Sequence, residues 1–274
     1  MMRSFLRRLA PALCVGLLAL TLSLPAQAGH EPVHVQLNGR AVEGEVDPFI
    51  VNGTAYVPLG AFSAALGGYT ARWDGSRAHV EGEGLALTAD PGGLWLEANG
   101  RLLYARDGIR LVQGRTMVPV RTAAQVFGLE VNWEGATNTV HITGQARPLE
   151  HGDTYYDPDT LYWLSRVISA ESQGEPLTGQ LAVGNVVLNR LASPDFPDDL
   201  YSVIFQKGQF EPVENGTIYL EPYHLSVTAA KLCLEGVQVI GPCLYFFAPA
   251  LSPGTWIVNN RTYHTSIGCH DFYL

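Results

Sequence analysis

One segment decides the fold of the C-terminal half: Leu161-Tyr-Trp-Leu-Ser-Arg-Val-Ile-Ser-Ala-Glu-Ser-Gln-Gly-Glu-Pro176. At about 100° per residue, the segment predicts a short helix whose apolar side also carries Glu171, one turn after Val167 and Ile168. A carboxylate in that position is costly unless it has a partner or a chemical role. The segment therefore indicates either a functional acid or a structural glutamate paired with an arginine such as Arg190.

The residues around this helix predict where it begins and ends. Asp157 or Asp159 can cap its start, and Gly174 and Pro176 end it. Glu171 then lies one turn before the C-terminus of the helix, where the helix dipole opposes a negative charge. Because apolar surroundings and the dipole both favour the protonated form, we expect the pKa of Glu171 to be raised, as a general acid for glycosidic cleavage requires.

Composition and charge bound the class of protein. The chain has 274 residues, 47% of them hydrophobic and 16% charged, which is typical of a globular protein with a substantial core. Residues 1–28 have the layout of a secretory signal peptide, with arginines, an apolar run too short to favour a membrane anchor, and a small-residue cleavage site before Gly29. Removal of this leader takes away three arginines and no acid, which lowers the net charge from −9 to −12. We therefore expect a secreted protein without a membrane span and without affinity for nucleic acid.

Three cysteines lie beyond the leader: Cys233, Cys243 and Cys269. Export permits a disulfide, and the Gly-Pro turn between the first two favours a Cys233–Cys243 bond. The alternative is that all three remain reduced.

Residues 33–143 contain an internal duplication with an offset of 61 residues. Val51-Asn-Gly-Thr-Ala-Tyr-Val-Pro-Leu59 parallels Val112-Gln-Gly-Arg-Thr-Met-Val-Pro-Val120. Each copy continues through an alanine-rich stretch to a glycine, and then to a short strand that ends in a tryptophan. The pattern predicts a strand–strand–helix–strand unit, present twice and sharing one core.

This region resembles the copper amine oxidase-like N-terminal domain found on many secreted bacterial proteins. The resemblance concerns the fold and implies no copper, because the histidines of the region are isolated and lack ligand spacing. It implies a scaffold or docking module, one that could contact a wall or spore-coat protein. The alternative is binding of wall glycan through Trp73, Trp95 or Trp133, although such tryptophans more often anchor a core.

The second half begins after residues 144–156, a polar and aperiodic segment that we predict to be a linker. Residues 157–274 then have the size of a domain. Further helices are predicted over residues 178–191 and 228–235. The whole chain is therefore predicted to be α+β, with a duplicated N-terminal domain followed by a mainly helical domain.

Several motifs of the second half occur in one order along the chain. They are Ser169-Ala-Glu-Ser-Gln-Gly-Glu-Pro176, Gly179-Gln-Leu-Ala-Val-Gly-Asn-Val-Val-Leu-Asn-Arg190, Ser193-Pro-Asp-Phe-Pro197, Gly208-Gln-Phe210, Leu244-Tyr-Phe246 and Ile267-Gly-Cys-His-Asp-Phe-Tyr273. Together they resemble the SleB/CwlJ-type cell wall hydrolase family, the spore cortex-lytic enzymes with a lysozyme-like fold. The resemblance spans nearly all of residues 160–274 and implies that Glu171 is the catalytic acid.

The resemblance also implies a substrate, the bond between N-acetylmuramic acid and N-acetylglucosamine in the peptidoglycan of spore cortex or cell wall. Glu171 would protonate the bridging oxygen. A single acid suits a lytic transglycosylase, in which the C6 hydroxyl of the sugar attacks and a 1,6-anhydro product forms. Hydrolysis by a muramidase or glucosaminidase, with Glu211 or Glu214 as a second carboxylate, is one alternative, and a non-catalytic wall-binding protein is another. The acids that could supply a second carboxylate all lie in predicted loops: Asp195, Glu211, Glu214 and Glu221.

Other residues of this half have weaker assignments. Glu175 lies beyond the helix-ending glycine and is interpreted as structural or supporting. Glu211 stands where the resembled family more often has a small hydroxyl residue. Candidates to line the glycan cleft, with packing as the alternative for each, are Gln209, Phe210, Tyr245 and His270. An alternative is a metal site built from Cys243, His264, Cys269 and His270. These residues lack a recognised ligand spacing, so no metal and no cofactor are expected.

Overall fold

The structure, a computed structural model, describes residues 31–274. The predicted signal peptide, residues 1–28, lies outside the described residues. Over residues 31–274, no helix has the length and apolar character needed to cross a membrane.

The N-terminal half consists of short strands and two helices. Its strands are β1 (Glu31–Pro32), β2 (His34–Leu37), β3 (Arg40–Ala41), β4 (Phe49–Val51), β5 (Thr54–Pro58), β6 (Tyr69–Trp73), β7 (Ala78–Gly82), β8 (Leu85–Ala89), β9 (Trp95–Ala98), β10 (Arg101–Tyr104), β11 (Arg110–Val112), β12 (Arg115–Pro119), β13 (Glu130–Glu134) and β14 (Thr139–Thr143). Its helices are α1 (Leu59–Leu66) and α2 (Val120–Val126).

The predicted duplication is confirmed element by element. The series β4, β5, α1, β6 and β7 recurs as β11, β12, α2, β13 and β14, each 61 residues later. Both helices begin directly after a proline, whose fixed φ is compatible with a helix start. The copies meet where β5 pairs antiparallel with β12, Val57 opposite Val118. Phe62 and Phe127 pack edge to face with ring centroids 5.8 Å apart, so the two copies share one core.

Three sheets surround this core. Two have five strands, in the orders β1-β4-β5-β12-β11 and β10-β9-β8-β7-β6, and the third has the order β13-β14-β2-β3. In each of the edge strands β6 and β13, four of the five residues are solvent-exposed. Trp73 and Trp133, near the ends of these edge strands, are 47% and 46% exposed. The expectation that they anchor the core is therefore wrong, whereas Trp95 is half-buried against the second half of the protein.

The second half is mainly helical, as predicted. Its helices are α3 (Gly152–Tyr155), α4 (Pro158–Ser172), α5 (Leu177–Ala192), α6 (Leu200–Phe205), α7 (Glu211–Asn215), α8 (His224–Leu234) and α9 (Thr255–Asn260), with a 3₁₀ turn at Thr217–Tyr219. The aromatic C-terminal region forms a sheet of β15 (Tyr245–Phe247), β17 (His270–Tyr273) and β16 (Tyr263–Ile267), in that order.

The helices α4, α5 and α8 form the core of this half and contact one another pairwise. Asp157 caps α4 by accepting a hydrogen bond of 2.8 Å from the backbone N–H of Thr160. Gly184 of α5 allows α4 and α8 to pack closely against α5. A Cβ atom at Gly184 would lie 2.7 Å from Sγ of Cys233 and 2.8 Å from Cδ1 of Ile168.

All three cysteines among the described residues are free. Cys233 is buried in the core of the three helices, where its Sγ contacts the carbonyl oxygen of Leu181 at 3.6 Å. Cys243 is buried in a separate cluster against the C-terminal sheet, with Phe272. The predicted Cys233–Cys243 disulfide is therefore not formed, because the Gly-Pro turn directs the two side chains into different parts of the core.

The segment 144–156 lies along the N-terminal half. The backbone N–H of Arg147 donates to Phe127 O at 2.9 Å, and that of Leu149 donates to Val126 O at 3.1 Å. Its last residue, Tyr156, is buried. The connection between the halves is thus held by backbone hydrogen bonds over much of its length.

A buried ion pair joins the two halves. Arg101 of β10 donates from Nε and Nη2 to the carboxylate of Glu235, at the end of α8, at 2.8 and 2.7 Å. The hydroxyl of Tyr156 donates to the same carboxylate at 2.7 Å. Lys231 adds a hydrogen bond of 3.1 Å to the carbonyl oxygen of Gly100. We call the Arg101–Glu235–Tyr156 group the bracket. Residues 31–274 form one compact unit.

Candidate active site

A cleft of about 980 Å³ opens beside the C-terminal end of α4. One wall comes from α4 itself, and the others come from the region of α7, the segment before α8, β15 and the start of β17. The charged and polar side chains that line it include Arg166, Glu171, Gln209, Glu211, Glu221 and His270. The cleft therefore brings together side chains that are far apart in the sequence.

Glu171 lies in the last turn of α4 and faces this cleft. Burial raises the pKa of Glu171 to about 7; the nearby charge of Glu211 acts in the same direction, and Arg190 opposes both. Among residues 31–274, no side chain forms an ion pair with Glu171. Its environment thus matches the first of the two sequence interpretations, an acid that can hold a proton near neutral pH.

Arg190, the partner considered for a structural Glu171, is held by other groups. It is buried, and its Nε donates to the carbonyl oxygen of Leu244 at 2.8 Å. The guanidinium lies 5.1 Å from the ring centroids of Phe196 and Phe210. Burial lowers the pKa of Arg190 to about 10. The arginine supplies positive charge near Glu171 without an ion pair that would fix the carboxylate.

The second carboxylates considered from the sequence occupy different places. Glu211 and Glu214 lie in α7, not in a loop as predicted, because Pro212 suits the first turn of a helix and Gly216 ends it with φ of +81°. Glu211 lines the cleft, but Glu214 does not. Asp195 also lies outside the lining. Among these acids, Glu211 is therefore the one whose charge contributes to the raised pKa of Glu171.

Arg166 and Glu221 form an ion pair at the cleft. Nη2 of Arg166 donates to Oε2 of Glu221 at 2.8 Å, and the guanidinium stacks on Tyr162 at 3.7 Å from the ring centroid. Arg166 is buried and its Nε has no partner, whereas the Glu221 side chain is almost fully exposed. At about 100° per residue, Arg166 falls on the polar side of the helix with Ser165 and Ser169. Such a position gives no signal of a cleft, so the sequence does not predict this cation.

The four predicted cleft residues divide into two pairs. Gln209 and His270 line the cleft. His270 is 7% exposed, its Nδ1 has no partner, and burial lowers its pKa, so that the ring is neutral near pH 7. Phe210, 2% exposed, packs in the core behind the cleft wall. Tyr245 also lies outside the lining and accepts a hydrogen bond of 2.9 Å from Arg261. The aromatic residues that do line the cleft are Tyr223, Phe246 and Phe247.

Glu175 supports the turn that precedes His270. Its Oε2 accepts a hydrogen bond of 3.1 Å from the backbone N–H of Cys269. A Cβ atom at Gly268, where φ is +59°, would lie 1.5 Å from that same oxygen. Glu175 does not line the cleft. These contacts agree with the interpretation that Glu175 is structural and holds the β16–β17 turn against the end of α4.

The alternative metal site is not formed. Within the part of the chain that the structure describes, no three histidine, cysteine, aspartate or glutamate side chains are grouped so that they could hold a metal ion.

Two protein-family models match the chain. Residues 174–273 match the model described as Cell Wall Hydrolase, and residues 36–142 match the Copper amine oxidase N-terminal domain. The first match begins just after Glu171, and the second covers the duplicated region almost completely.

Curated relatives are similar to the second half of the chain. The spore cortex-lytic enzyme of Halalkalibacterium halodurans is 36% identical over 117 residues, which are 43% of this chain and 35% of that protein. That of Bacillus subtilis is 36% identical over 109 residues, 40% of this chain and 35% of that protein. The chain thus spans about a third of the length of these two relatives.

A solved structure matches the same region. It is the catalytic domain of the germination-specific lytic transglycosylase SleB from Bacillus anthracis, 34% identical, with 43% of this chain and 97% of that domain covered and a TM-score of 0.41.

Proposed function

We propose that this chain, whose residues 174–273 match the family model described as Cell Wall Hydrolase, cleaves the glycan strands of peptidoglycan with Glu171 as the acid. The observation that carries the proposal is the position of Glu171, half-buried at the cleft with a pKa raised to about 7 by desolvation and no ion-pair partner among the described residues. The family match begins beyond Glu171. The assignment of Glu171 as the acid is therefore supported by its geometry and by the sequence motif around it, not by the family match.

The first chemical step is proton transfer. Neutral Glu171 donates its proton to the oxygen that bridges N-acetylmuramic acid and N-acetylglucosamine, while positive charge develops at the anomeric carbon. Burial is what keeps the proton available near pH 7. The resulting carboxylate is stabilised by the charge of Arg190, which lowers the pKa of Glu171 and so favours the form present after the transfer.

We further propose that the second step is a lytic transglycosylation. The Glu171 carboxylate takes the proton of the C6 hydroxyl, whose oxygen attacks the anomeric carbon and closes a 1,6-anhydro ring. The ability of one carboxyl group to serve first as acid and then as base supports this choice. No water molecule is consumed, so the products are lighter by one water than those of hydrolysis.

Hydrolysis is the second candidate, because Glu211 lines the same cleft. An ionised Glu211 could activate a water molecule, as the second carboxylate of a glycosidase does. The resembled family more often has a small hydroxyl residue at this position, so Glu211 is a feature in which this chain departs from the pattern.

The variant Glu171→Gln tests the proposal, since glutamine keeps the shape of the side chain but cannot donate this proton. We expect no release of muropeptides from purified cortex peptidoglycan by Glu171→Gln, and unchanged release by the control Glu214→Gln, an exposed acid outside the cleft. Full activity of Glu171→Gln would contradict the assignment. Mass spectrometry of the products separates the two mechanisms, because reducing ends in place of anhydro ends mean hydrolysis.

The location and the natural substrate are part of the same proposal. The predicted leader supports export, and the names of the relatives support spore cortex as the substrate. Equal amounts of cortex and vegetative wall, compared by loss of turbidity, test this choice. Faster cleavage of vegetative wall would argue for a general wall enzyme.

A further inference from the structure

The N-terminal half contains a second cleft, of about 870 Å³. The β4–β5 hairpin, the segment that follows β10, the start of α2, and β13 with β14 surround it. The side chains that matter for its chemistry are Thr54, Tyr104, Arg106, Asp107, Arg121 and Trp133. Both copies of the duplication contribute, so the cleft exists only in the assembled domain.

Two arginines of this cleft have no acidic partner. Arg106 and Arg121 are exposed, and neither takes part in an ion pair among the described residues. The neighbouring carboxylate, Asp107, accepts a hydrogen bond from the hydroxyl of Thr54. Arg121 makes a long contact of 3.5 Å with the carbonyl oxygen of Val131. Their donors are therefore available to an anionic ligand, in a chain whose overall charge is −9.

The cleft also offers an exposed aromatic surface. Trp133 is 46% exposed and lies on β13, opposite Val140 of β14. Tyr104 also lines the cleft and is half-buried, and the charge of Arg106 acts on its hydroxyl. An indole with one open face can pack against the apolar face of a sugar ring, and a nearby arginine fork can bind a carboxylate in two-point fashion.

The duplication provides an internal comparison. The positions 61 residues before Arg106, Arg121 and Trp133 hold Glu45, Gly60 and Arg72. The charged residues at these positions are paired: Glu45 with Arg115, and Arg72 with Glu81 at 3.0 Å. The second copy therefore differs from the first in carrying two free cations and a tryptophan at corresponding positions.

We propose that this cleft binds peptide-bearing amino sugars of peptidoglycan, with the sugar ring on Trp133 and a carboxylate of the stem peptide on Arg106 and Arg121. The choice of polymer depends on the proposed function; the anionic-sugar chemistry depends only on the cleft. A protein of net negative charge is repelled by an anionic polymer, so two local cations give the strand a specific place to bind. The N-terminal half is then a glycan-binding domain with its own site.

Binding is measured on the full chain in a Glu171→Gln background, by co-sedimentation with peptidoglycan sacculi freed of teichoic acid. We expect Trp133→Ala, and separately Arg106→Gln combined with Arg121→Gln, to weaken binding roughly tenfold, the factor that corresponds to about 1.4 kcal/mol. Matched controls are Trp73→Ala, a tryptophan of equal exposure outside the cleft, and Arg40→Gln, an exposed arginine outside the cleft; both should bind like the parent.

A second arm uses sacculi from which an amidase has removed the stem peptides. The parent should bind this glycan more weakly, and the arginine variants should lose nothing further. Equal binding of all variants, equal losses in the controls, or undiminished binding to peptide-free glycan would each overturn the proposal. Because the readout needs no catalysis, and because the cleft variants with Glu171 intact should still cleave soluble muropeptide oligomers, failure here is distinguishable from failure of the proposed function.

Discussion

Replacing Glu171 by glutamine should stabilise the folded protein relative to the parent protein, and this gain in stability should be larger at alkaline pH than at acidic pH. The carboxyl group has an ordinary pKa of 4.5 and a folded-state pKa of about 7, because it is buried. Between these two values the folded protein binds more protons than the unfolded chain. The contribution of Glu171 to the free energy of unfolding is therefore lost as the pH rises through this window.

The magnitude follows from the shift. A difference of about 2.5 pKa units corresponds to ~3.4 kcal/mol of destabilisation once the pH is well above 7. Roughly 2.5 kcal/mol of this appears between pH 5 and pH 8, when both states are titrated together. Glutamine has no proton to lose, so Glu171→Gln avoids the whole penalty and keeps nearly the same volume.

Urea unfolding followed by tryptophan fluorescence at several pH values measures the effect. The stability of Glu171→Gln minus that of the parent should be larger at pH 8 than at pH 5 by about 2.5 kcal/mol. Glu214→Gln, at an exposed position outside the cleft, should show no such trend. A difference that stays constant with pH would mean that Glu171 ionises normally in the folded protein, and would refute the reasoning for a buried acid.

Three other changes have definite expected outcomes. The rate of peptidoglycan cleavage should fall as the pH rises through about 7, and Glu211→Gln should move this decline to lower pH, because it removes a negative charge that raises the pKa of Glu171; identical pH–rate profiles would contradict the coupling. Glu235→Gln should cost about 3–5 kcal/mol in denaturant unfolding, since it leaves a buried arginine without its counter-charge, and a loss below 1 kcal/mol would show that the bracket contributes little. Gly184→Ala should cost about 1–3 kcal/mol by forcing a methyl group to 2.7 Å from a cysteine sulfur, whereas Gly174→Ala, with open space around it, should cost much less.

The features that could be predicted from the sequence are those encoded locally. The helix around Glu171 has an aspartate cap, a periodic apolar side and a glycine near its end, and α4 runs from Pro158 to Ser172 accordingly. The duplication is visible because each Val-Pro pair is followed by a helix and then by an edge strand. Such signals depend on neighbours within a few residues, so no tertiary information is needed to interpret them.

The features that were missed depend on contacts across the fold. Arg166 has the periodicity of a solvated position, yet it is buried because the segment before α8 covers that side of α4 and supplies Glu221. Phe210 belongs to a motif beside the cleft, but its ring points into the core under Arg190. The C-terminal sheet is not predicted from the sequence, because its strands are short and β16 pairs with β17 through an irregularity between Tyr263 and Thr265.

The bracket has a consequence for the products of the reaction. A binding module on a loose tether can hold a polymer anywhere within reach, so cuts fall at scattered distances from the point of attachment. Here Arg101, Glu235 and Tyr156 bond the halves that contain the second cleft and the Glu171 cleft, within one compact unit. A glycan strand bound in both clefts would be cut at a constant number of sugar units from the site where the second cleft binds it. Fragment lengths would then show a preferred size, and loosening the bracket would broaden their distribution.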